Sequence, residues 1–453
     1  MSLICRKLCS FILFEHFGQI VQCVGEDLFK YGAKPLVLIR HTTHLPVTKI
    51  KEALCVLIKH GLVKYRQTEK GMEYILIYER VLNILRYPKY MFFVKTNCGN
   101  EAEMMLEQVL KNGYITASEV IIKTYKRIEQ SPYLDLTAIA KYLEGDNCNL
   151  KDKIYWEINI DRFTQDFRDQ IIVSSISKRL DKNAGELMRR LLFLMYLRTA
   201  SWEDTSNPIP FAEIKDAVKK LNYPLLTQHL DQYLRLIEED SSQFLKRVGD
   251  SGGGQYSVNM KEAFNQLAWA SLENIVMERF GSKAARIFRL VRARKYIEQE
   301  QIQQLAMIPA KEAKHLTYSL LQENYLQMQE IKKSGVSAAP IKTFFLFHID
   351  LNLVVRMEIE HCYHALYNIM QRREYEVNSN KRMIDKQLRM QTLTSNLKEH
   401  GAPEEQLAEI AEMMTPTEKQ QLEKVQNTIK KLGITELQID DTLFLLTMYL
   451  RYH

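Results

Sequence analysis

The sequence predicts a mainly α-helical protein with small β-wings, built from tandem extended winged-helix domains and a C-terminal helical coiled-coil hairpin. Three observations lead to this prediction. An order of three helices followed by a β-hairpin recurs along the chain, glycine and proline mark helix ends, and apolar residues adopt a 3-4 spacing after Asp350. The recurring order is that of a winged helix, in which a β-wing follows a helix-turn-helix.

The first copy of this pattern lies in residues 1–85. Three helices are predicted there, over Leu3–Phe17, Gln19–Tyr31 and Thr48–His60. Two strands follow as the wing, over Leu62–Tyr65 and Tyr74–Tyr78.

Two further copies are predicted over residues 166–260 and 261–349. The former has predicted helices at Glu186–Arg198, Phe211–Leu221 and Leu225–Ile237, and strands at Phe244–Val248 and Gln255–Val258. The latter has helices at Lys283–Lys295, Glu300–Ala306 and Ala310–Glu323, with Pro309 at a first helical position, and strands at Tyr325–Ile331 and Lys342–Phe347.

A copy over residues 86–165 is predicted to be short or degenerate. Its first two helices, Gly99–Asn112 and Thr116–Arg127, have clear helical patterns. The third, Leu136–Leu143, is short, and only Tyr155–Ile158 resembles a wing strand. Either the domain is degenerate or a variable loop is missing near Gly145–Asp152.

Residues 350–453 have the apolar spacing of a coiled coil, in the runs Val355–Ile369, Leu422–Leu432 and Ile439–Leu450. Because each run is short, the sequence favours an intramolecular hairpin over a long intermolecular zipper. These helices can pack on each other or on a partner. The candidate partner-binding residues are Ile359, Leu366, Ile369, Leu443 and Leu446.

The composition indicates a globular protein with a mild basic excess. Apolar residues make up 46% of the chain, charged residues 26%, and the formal net charge is +7. No apolar run reaches the length of a membrane span, so no membrane partner is expected. The seven cysteines are scattered without a C-x-x-C pair, which argues against a disulfide framework and a structural zinc site.

Two strings resemble catalytic or metal sites, and each has a simpler explanation. Gly249–Gly254 is similar to the segment around the nucleophile of chymotrypsin-like proteases, but its flanking chain is helical, so a glycine-rich wing turn is the preferred interpretation. His361 and His364 could share an ion, yet no further ligands lie nearby in sequence. We therefore predict no catalytic residue, no metal and no cofactor.

Basic clusters are the candidate nucleic-acid contacts, because such side chains bind phosphates without reading sequence. The candidates are Lys123, Lys126, Arg127, Lys178, Arg179, Lys182, Arg189, Arg190, Lys246 and Arg247. The helix Lys283–Lys295 is also crowded with basic residues. The alternative for each cluster is a solvated face or salt bridges to acidic partners.

The predicted recognition helices lack a dense set of base-reading side chains. Thr48–His60 carries Lys49, Lys51, Glu52 and Lys59, and the helix beginning at Leu225 is acidic near its end. Direct readout of base edges relies on Arg, Asn and Gln at such positions. We therefore expect contact with DNA that does not depend on sequence.

Several strings resemble one family over essentially the whole chain. Arg279–Leu290, Ala306–Lys314, Gly249–Gly254 and Thr116–Tyr125 are similar to the largest subunit of the RNA polymerase III-specific heterotrimer, a family related to the α subunit of general transcription factor IIE. One departure is the compact stretch after Arg127, where relatives carry a longer insertion.

The resemblance implies a nuclear, non-catalytic polymerase subunit. It implies four extended winged helices and a coiled coil that dock on the polymerase clamp with two smaller subunits, support promoter opening and initiation, and bind single-stranded DNA. A part in cytosolic DNA sensing is also implied. The alternative is a scaffold subunit of another regulatory complex, for which a single terminal wing would be expected instead of four distributed ones.

Overall fold

A computed structural model describes residues 2–69, 71–128, 154–221, 223–332, 343–399 and 414–453. The chain forms two compact units. The first comprises Met1–Asn159 and Cys362–Asp440, and the second comprises Ile160–His361 and Asp441–His453. Within the described ranges, no helix is long and apolar enough to cross a membrane.

The first winged helix contains one helix more than the sequence predicts. Its elements are α1 (Leu3–Phe17), α2 (Gln19–Tyr31), β1 (Lys34–Pro35), α3 (Leu36–Thr43), α4 (Val47–Lys59), β2 (Val63–Thr68) and β3 (Gly71–Leu76). The unpredicted helix is α3, which buries only Ile39 among its eight residues and therefore has no apolar periodicity to detect. The two residues of β1 pair with β3 and make a three-stranded sheet in the order β1-β3-β2.

The second domain has its two predicted helices and a small sheet. Its elements are α5 (Tyr78–Leu82), a 3-10 turn (Asn83–Arg86), α6 (Tyr87–Cys98), α7 (Asn100–Asn112), β4 (Ile115–Thr116), α8 (Ala117–Ile128) and β5 (Tyr155–Trp156). The predicted wing strand is β5, and it pairs with β4. The predicted helix Leu136–Leu143 and the proposed loop position Gly145–Asp152 lie outside the described residues.

The third winged helix differs from the prediction at its third helix. Its elements are α9 (Ile160–Arg179), α10 (Lys182–Arg198), β6 (Ile209–Pro210), α11 (Phe211–Lys219), α12 (Pro224–Gln228), α13 (Leu230–Glu239), β7 (Leu245–Gly249) and β8 (Gln255–Val258). The continuous helix predicted over Leu225–Ile237 is wrong, because His229 leaves the helical conformation (φ −112, ψ 26) and separates α12 from α13.

The fourth winged helix has its three predicted helices and two strands within two residues of the predicted bounds, and before them a 21-residue helix, Met260–Phe280, that was not predicted. Its elements are α14 (Met260–Phe280), α15 (Ser282–Arg294), β9 (Ile297–Glu298), α16 (Gln299–Ala306), α17 (Ala310–Gln322), β10 (Gln327–Lys332) and β11 (Thr343–His348). Pro309 is the N-cap residue of α17 and not its first helical residue, since its ψ of 139 is extended.

The C-terminal segments are α18 (Leu351–Ser379), α19 (Lys381–Glu399) and α20 (Pro416–Tyr452). Thr415 and Glu418 form a capping box at the start of α20: the Glu418 N–H donates to Thr415 Oγ1 at 3.2 Å, and the Thr415 N–H donates to a Glu418 carboxylate oxygen at 3.0 Å. Lys386 of α19 pairs with Glu418 at 2.9 Å. These contacts confirm an intramolecular hairpin.

The predicted partner-binding residues lie mostly inside the chain. Ile359, Leu366, Leu443 and Leu446 are buried, and Ile369 is half-buried. A partner could contact the four buried side chains only by replacing packing contacts that the chain already makes. Their role in partner binding stays a prediction.

Candidate nucleic-acid interface

The corner between α9 and α10 carries three of the predicted basic residues. Asp181 caps α10, because its carboxylate accepts from the Ala184 N–H at 2.7 Å, and it also accepts from the Tyr233 hydroxyl at 2.8 Å. The corner is thereby fixed against α13. Lys178 and Lys182 flank it on the last turn of α9 and the first turn of α10. Both are exposed, and neither pairs with a carboxylate in the described part of the chain.

Arg179 is engaged by the loop after α13. Its Nε donates to Asp240 at 3.0 Å, and its Nη2 donates to Ser241 Oγ at 2.7 Å. Partial burial opposes ionisation of Asp240, but hydrogen bonds from Ser242 and Arg179 outweigh it and hold the pKa of this carboxyl below its usual range. Asp240 therefore stays charged and neutralises much of the field of Arg179.

Arg189 and Arg190 share one acid on α10. Their guanidinium groups lie 3.5 and 3.3 Å from the carboxylate of Glu186. Arg189 is 64% exposed, so its pairing is weak and screened by solvent. Because one carboxylate serves two arginines, this stretch of α10 keeps a positive charge in excess.

The wing of the third domain contains Lys246 and Arg247 on β7. Lys246 is exposed and has no ion pair among the residues described, whereas Arg247 pairs with Asp250 at 2.9 Å. Gly252, Gly253 and Gly254 all have positive φ, which explains the glycine-rich string as a tight wing turn. Among the hydrogen bonds of the described residues, none joins a histidine to the Ser251 side chain of this turn.

The predicted residues of α8 are only partly visible. Lys123 is exposed and donates to Asn112 Oδ1 at 2.7 Å. Lys126 and Arg127 belong to the last turn of α8, but their side chains lie outside the described residues.

The most basic helix of the sequence, α15, is largely engaged within the chain. Lys283 pairs with Glu312 at 2.6 Å, Arg286 donates to the Ala306 carbonyl at 3.1 Å, and Arg289 pairs with Glu273. Density of positive charge in the sequence is therefore a poor guide to the charge left over for a ligand. Among the predicted basic residues whose side chains the structure describes, four form no ion pair with another residue of the chain: Lys123, Lys178, Lys182 and Lys246.

The structure brings together one group that the sequence analysis did not connect. Lys51 and Lys59 of α4 line a cleft in the first unit with Tyr74, Tyr114 and Tyr155. The available signal was the spacing of Lys51, Cys55 and Lys59, four residues apart on a helix, but the tyrosines come from three distant places in the chain. The described residues contain no group of three or more His, Cys, Asp or Glu side chains that could hold a metal ion.

Comparison with known families gives matches along most of the chain. Residues 7–68 match the helix-turn-helix domain of RNA polymerase III subunit RPC82, and residues 79–267 match RNA polymerase III subunit RPC82. Residues 272–349 match the C-terminal winged-helix domain of POLR3C, and residues 382–445 match the helical hairpin domain of DNA-directed RNA polymerase III subunit RPC3.

Individual relatives match over nearly their full length. The chain is 35% identical to DNA-directed RNA polymerase III subunit RPC3 of Rattus norvegicus and of Homo sapiens, over 98% of this chain and 98% of each relative. It is 33% identical to the protein of the same name from Danio rerio, with the same coverage. The alignment to the human protein covers 523 positions and is longer than this 453-residue chain, so the chain lacks residues that the relative has.

Proposed function

The chain belongs to the RPC3 (RPC82) family of RNA polymerase III subunits, and from this premise we propose that it acts in the nucleus as a non-catalytic subunit of that polymerase. The observation that carries the proposal is the family relationship over 98% of the chain, together with tandem winged helices and a C-terminal hairpin. Winged helices distributed through the chain also favour this function over a scaffold with one terminal wing.

In this proposal the subunit supplies binding surfaces for other polymerase subunits and positive charge for contact with DNA. It docks on the polymerase clamp together with two smaller subunits and supports promoter opening and initiation on small RNA genes. Phosphodiester formation belongs to other subunits, and this chain contributes no catalytic residue. A part in cytosolic DNA sensing through the polymerase would use the same DNA-binding surface.

Contact with DNA in this proposal is electrostatic and independent of sequence. It is supported by Lys178, Lys182 and Lys246, which are exposed and have no ion pair within the described part of the chain. Lysines of this kind exchange condensed counterions for phosphate contacts, which makes binding steeply dependent on salt. Arg189 and Arg190 contribute less to DNA binding, because the Glu186 carboxylate neutralises part of their positive charge.

The test of the proposed function is purification of the tagged chain from nuclear extract at near-physiological salt. We expect stoichiometric recovery of polymerase III subunits, including two smaller partners that stay with the chain when the polymerase core is removed. Recovery of the chain only as a free monomer would contradict the proposal.

A further inference from the structure

The first unit contains a cleft of about 620 Å³. Its lining includes none of the basic residues that were predicted to contact DNA. Its floor is aliphatic and includes Leu54 and Ile58 of α4. Tyr74 of β3, Tyr114 just before β4 and Tyr155 of β5 supply aromatic walls, so residues of the first and second domains meet around one concavity.

The two sides of the cleft are joined by main-chain contacts. The Tyr114 N–H donates to the Lys59 carbonyl at 2.8 Å. Gly113 beside it has φ +71, and a Cβ atom at this position would lie 2.2 Å from the Lys59 carbonyl oxygen, so only glycine permits the approach. Arg80 adds a hydrogen bond to the Gly61 carbonyl at 3.2 Å. The cleft is therefore preformed and does not depend on a ligand to assemble.

The residues that line the cleft carry more positive than negative charge. Lys51 and Lys59 are eight residues apart on α4, which is two steps of four along one face of the helix, and both line the cleft. Both are exposed, and neither forms an ion pair with any carboxylate that the structure describes. Glu119 at the opposite side is the one described acidic residue of the lining. The lining therefore includes two ammonium groups and one carboxylate.

We propose that this cleft is a docking site for an acidic, amphipathic segment of a partner protein. An apolar side chain of the segment fills the aliphatic floor between the tyrosines, and carboxylates of the segment meet Lys51 and Lys59. Aromatic walls around a small apolar pocket are typical of the centre of protein interfaces. Unpaired cations at the rim select an anionic partner by charge complementarity.

Single-stranded nucleic acid is the less favoured occupant. Tyrosines can stack on bases, and lysines can contact phosphates. However, the floor is made of leucine and isoleucine side chains, which fit an apolar side chain and offer no polar contact to a base.

Cys55 provides an internal probe of occupancy, because this exposed free thiol lines the cleft between the two lysines. We would compare the alkylation rate of Cys55 by iodoacetamide in the free chain and in the purified polymerase, with the exposed thiols of Cys23 and Cys98 as references. A site occupied more than nine-tenths of the time should slow alkylation by about tenfold or more. Full reactivity of Cys55 in the polymerase would overturn the proposal.

Charge reversal distinguishes docking from general shielding. Lys51→Glu/Lys59→Glu should restore the reactivity of Cys55 within the polymerase. The matched control Lys49→Glu/Lys64→Glu makes the same change at two exposed lysines of the first domain that do not line the cleft, and protection should persist. Tyr155→Ala should also restore reactivity without unfolding the chain, because this side chain is 67% exposed. Equal protection in all variants would contradict the assignment.

Cross-linking identifies the occupant. A zero-length carbodiimide should join Lys51 or Lys59 to Asp or Glu residues of a protein segment in the assembled polymerase. Protection of Cys55 in the free chain by an oligo(dT) strand alone would instead mean that the cleft binds nucleic acid, and would overturn the proposal.

This inference rests on the proposed function in one respect: it takes the partner to be a subunit of polymerase III. The two can fail separately. A chain that does not co-purify with the polymerase contradicts the proposed function, whereas a chain that co-purifies with Cys55 fully reactive contradicts the docking site alone.

Discussion

Arg86 and Asp440 are separated by 354 positions in the sequence, yet Arg86 Nε donates to Asp440 Oδ1 at 2.9 Å inside the first unit. Lys89 completes the cluster, with Nζ 2.8 Å from the other carboxylate oxygen. Asp440 is almost fully buried, and both cations form ion pairs with it. The turn after the first wing is thereby attached to α20, which belongs to the C-terminal hairpin.

We expect Arg86→Met to destabilise the first unit. Removing one member of a buried ion pair leaves its partner uncompensated and costs about 3 kcal/mol, at the low end of the usual range because Lys89 remains. Hydrogen exchange measured by mass spectrometry should show faster exchange in α20 near Asp440. The triple variant Arg86→Met/Lys89→Met/Asp440→Leu removes all three charges and should recover part of the protection, and no recovery would mean that lost packing, not charge, causes the effect.

Lys178→Glu/Lys182→Glu should weaken binding of single-stranded DNA more than charge reversal at Lys283. The reason is that Glu312 already pairs with Lys283, whereas both lysines of the corner have their charge available. Each lost phosphate contact should reduce the slope of log K against log salt concentration by about 0.7 for single strands. Fluorescence anisotropy over a salt series measures this slope, and an unchanged slope would place these lysines against protein or solvent.

Asp240→Asn should strengthen DNA binding. The substitution removes the negative charge that neutralises Arg179 while leaving a polar side chain of similar shape. Affinity should rise, and the salt slope should steepen by up to about 0.7. Arg179→Gln is the matched comparison, since it removes the cation and should weaken binding. A rise in affinity with both variants would contradict an electrostatic cause.

The same contact has a defined dependence on pH. The pKa of Asp240 is lowered in the folded chain, so its stabilising contribution is present above the ordinary pKa of an aspartate and is lost as the pH falls through the lower folded value. Carboxyl chemical shifts from NMR should titrate below the usual range in the intact protein. In the Arg179→Gln variant the pKa of Asp240 should move upward, and an unchanged value would mean that Ser242 alone holds it.

Ser251→Ala should leave every activity unchanged. Ser251 lies in the glycine-rich wing turn, and among the described residues no histidine forms a hydrogen bond with its side chain. Assays of a peptide-ester substrate and of DNA binding with both proteins would check this. Loss of a hydrolytic activity on this change would show that the segment is catalytic after all.

Much of the fold could be predicted from sequence because long helices bury a periodic face. The predicted bounds of α1 and α2 agree with the structure, and β8 was also found at its observed position. Helix α3 was missed because Val37 and Leu38 are exposed while Ile39 alone is buried, which leaves no helical pattern. Strands of two residues, such as β1, are too short to show alternation at all.

The candidate site was harder to predict than the fold. Sequence identifies positive charge, but whether a charge is free depends on acids that are distant in the chain. Glu312 and Glu273 form ion pairs with basic residues of α15, and Asp240 forms one with Arg179. No local sequence pattern predicts these pairs. The domain boundaries at 85, 165, 260 and 349 likewise stay predictions, since the two compact units do not divide the chain at those points.

The two-residue strands β1, β4, β6 and β9 have a consequence for a chain that contains several similar wings. Each lies just before a helix and pairs with a strand further along in its own repeat, so β3, β8 and β11 have neighbours on both sides. Unpaired strand edges in neighbouring repeats invite exchange of hairpins between copies. Because β3, β8 and β11 are paired on both sides within their own repeats, none of these three strands offers a free edge to a wing of a neighbouring repeat.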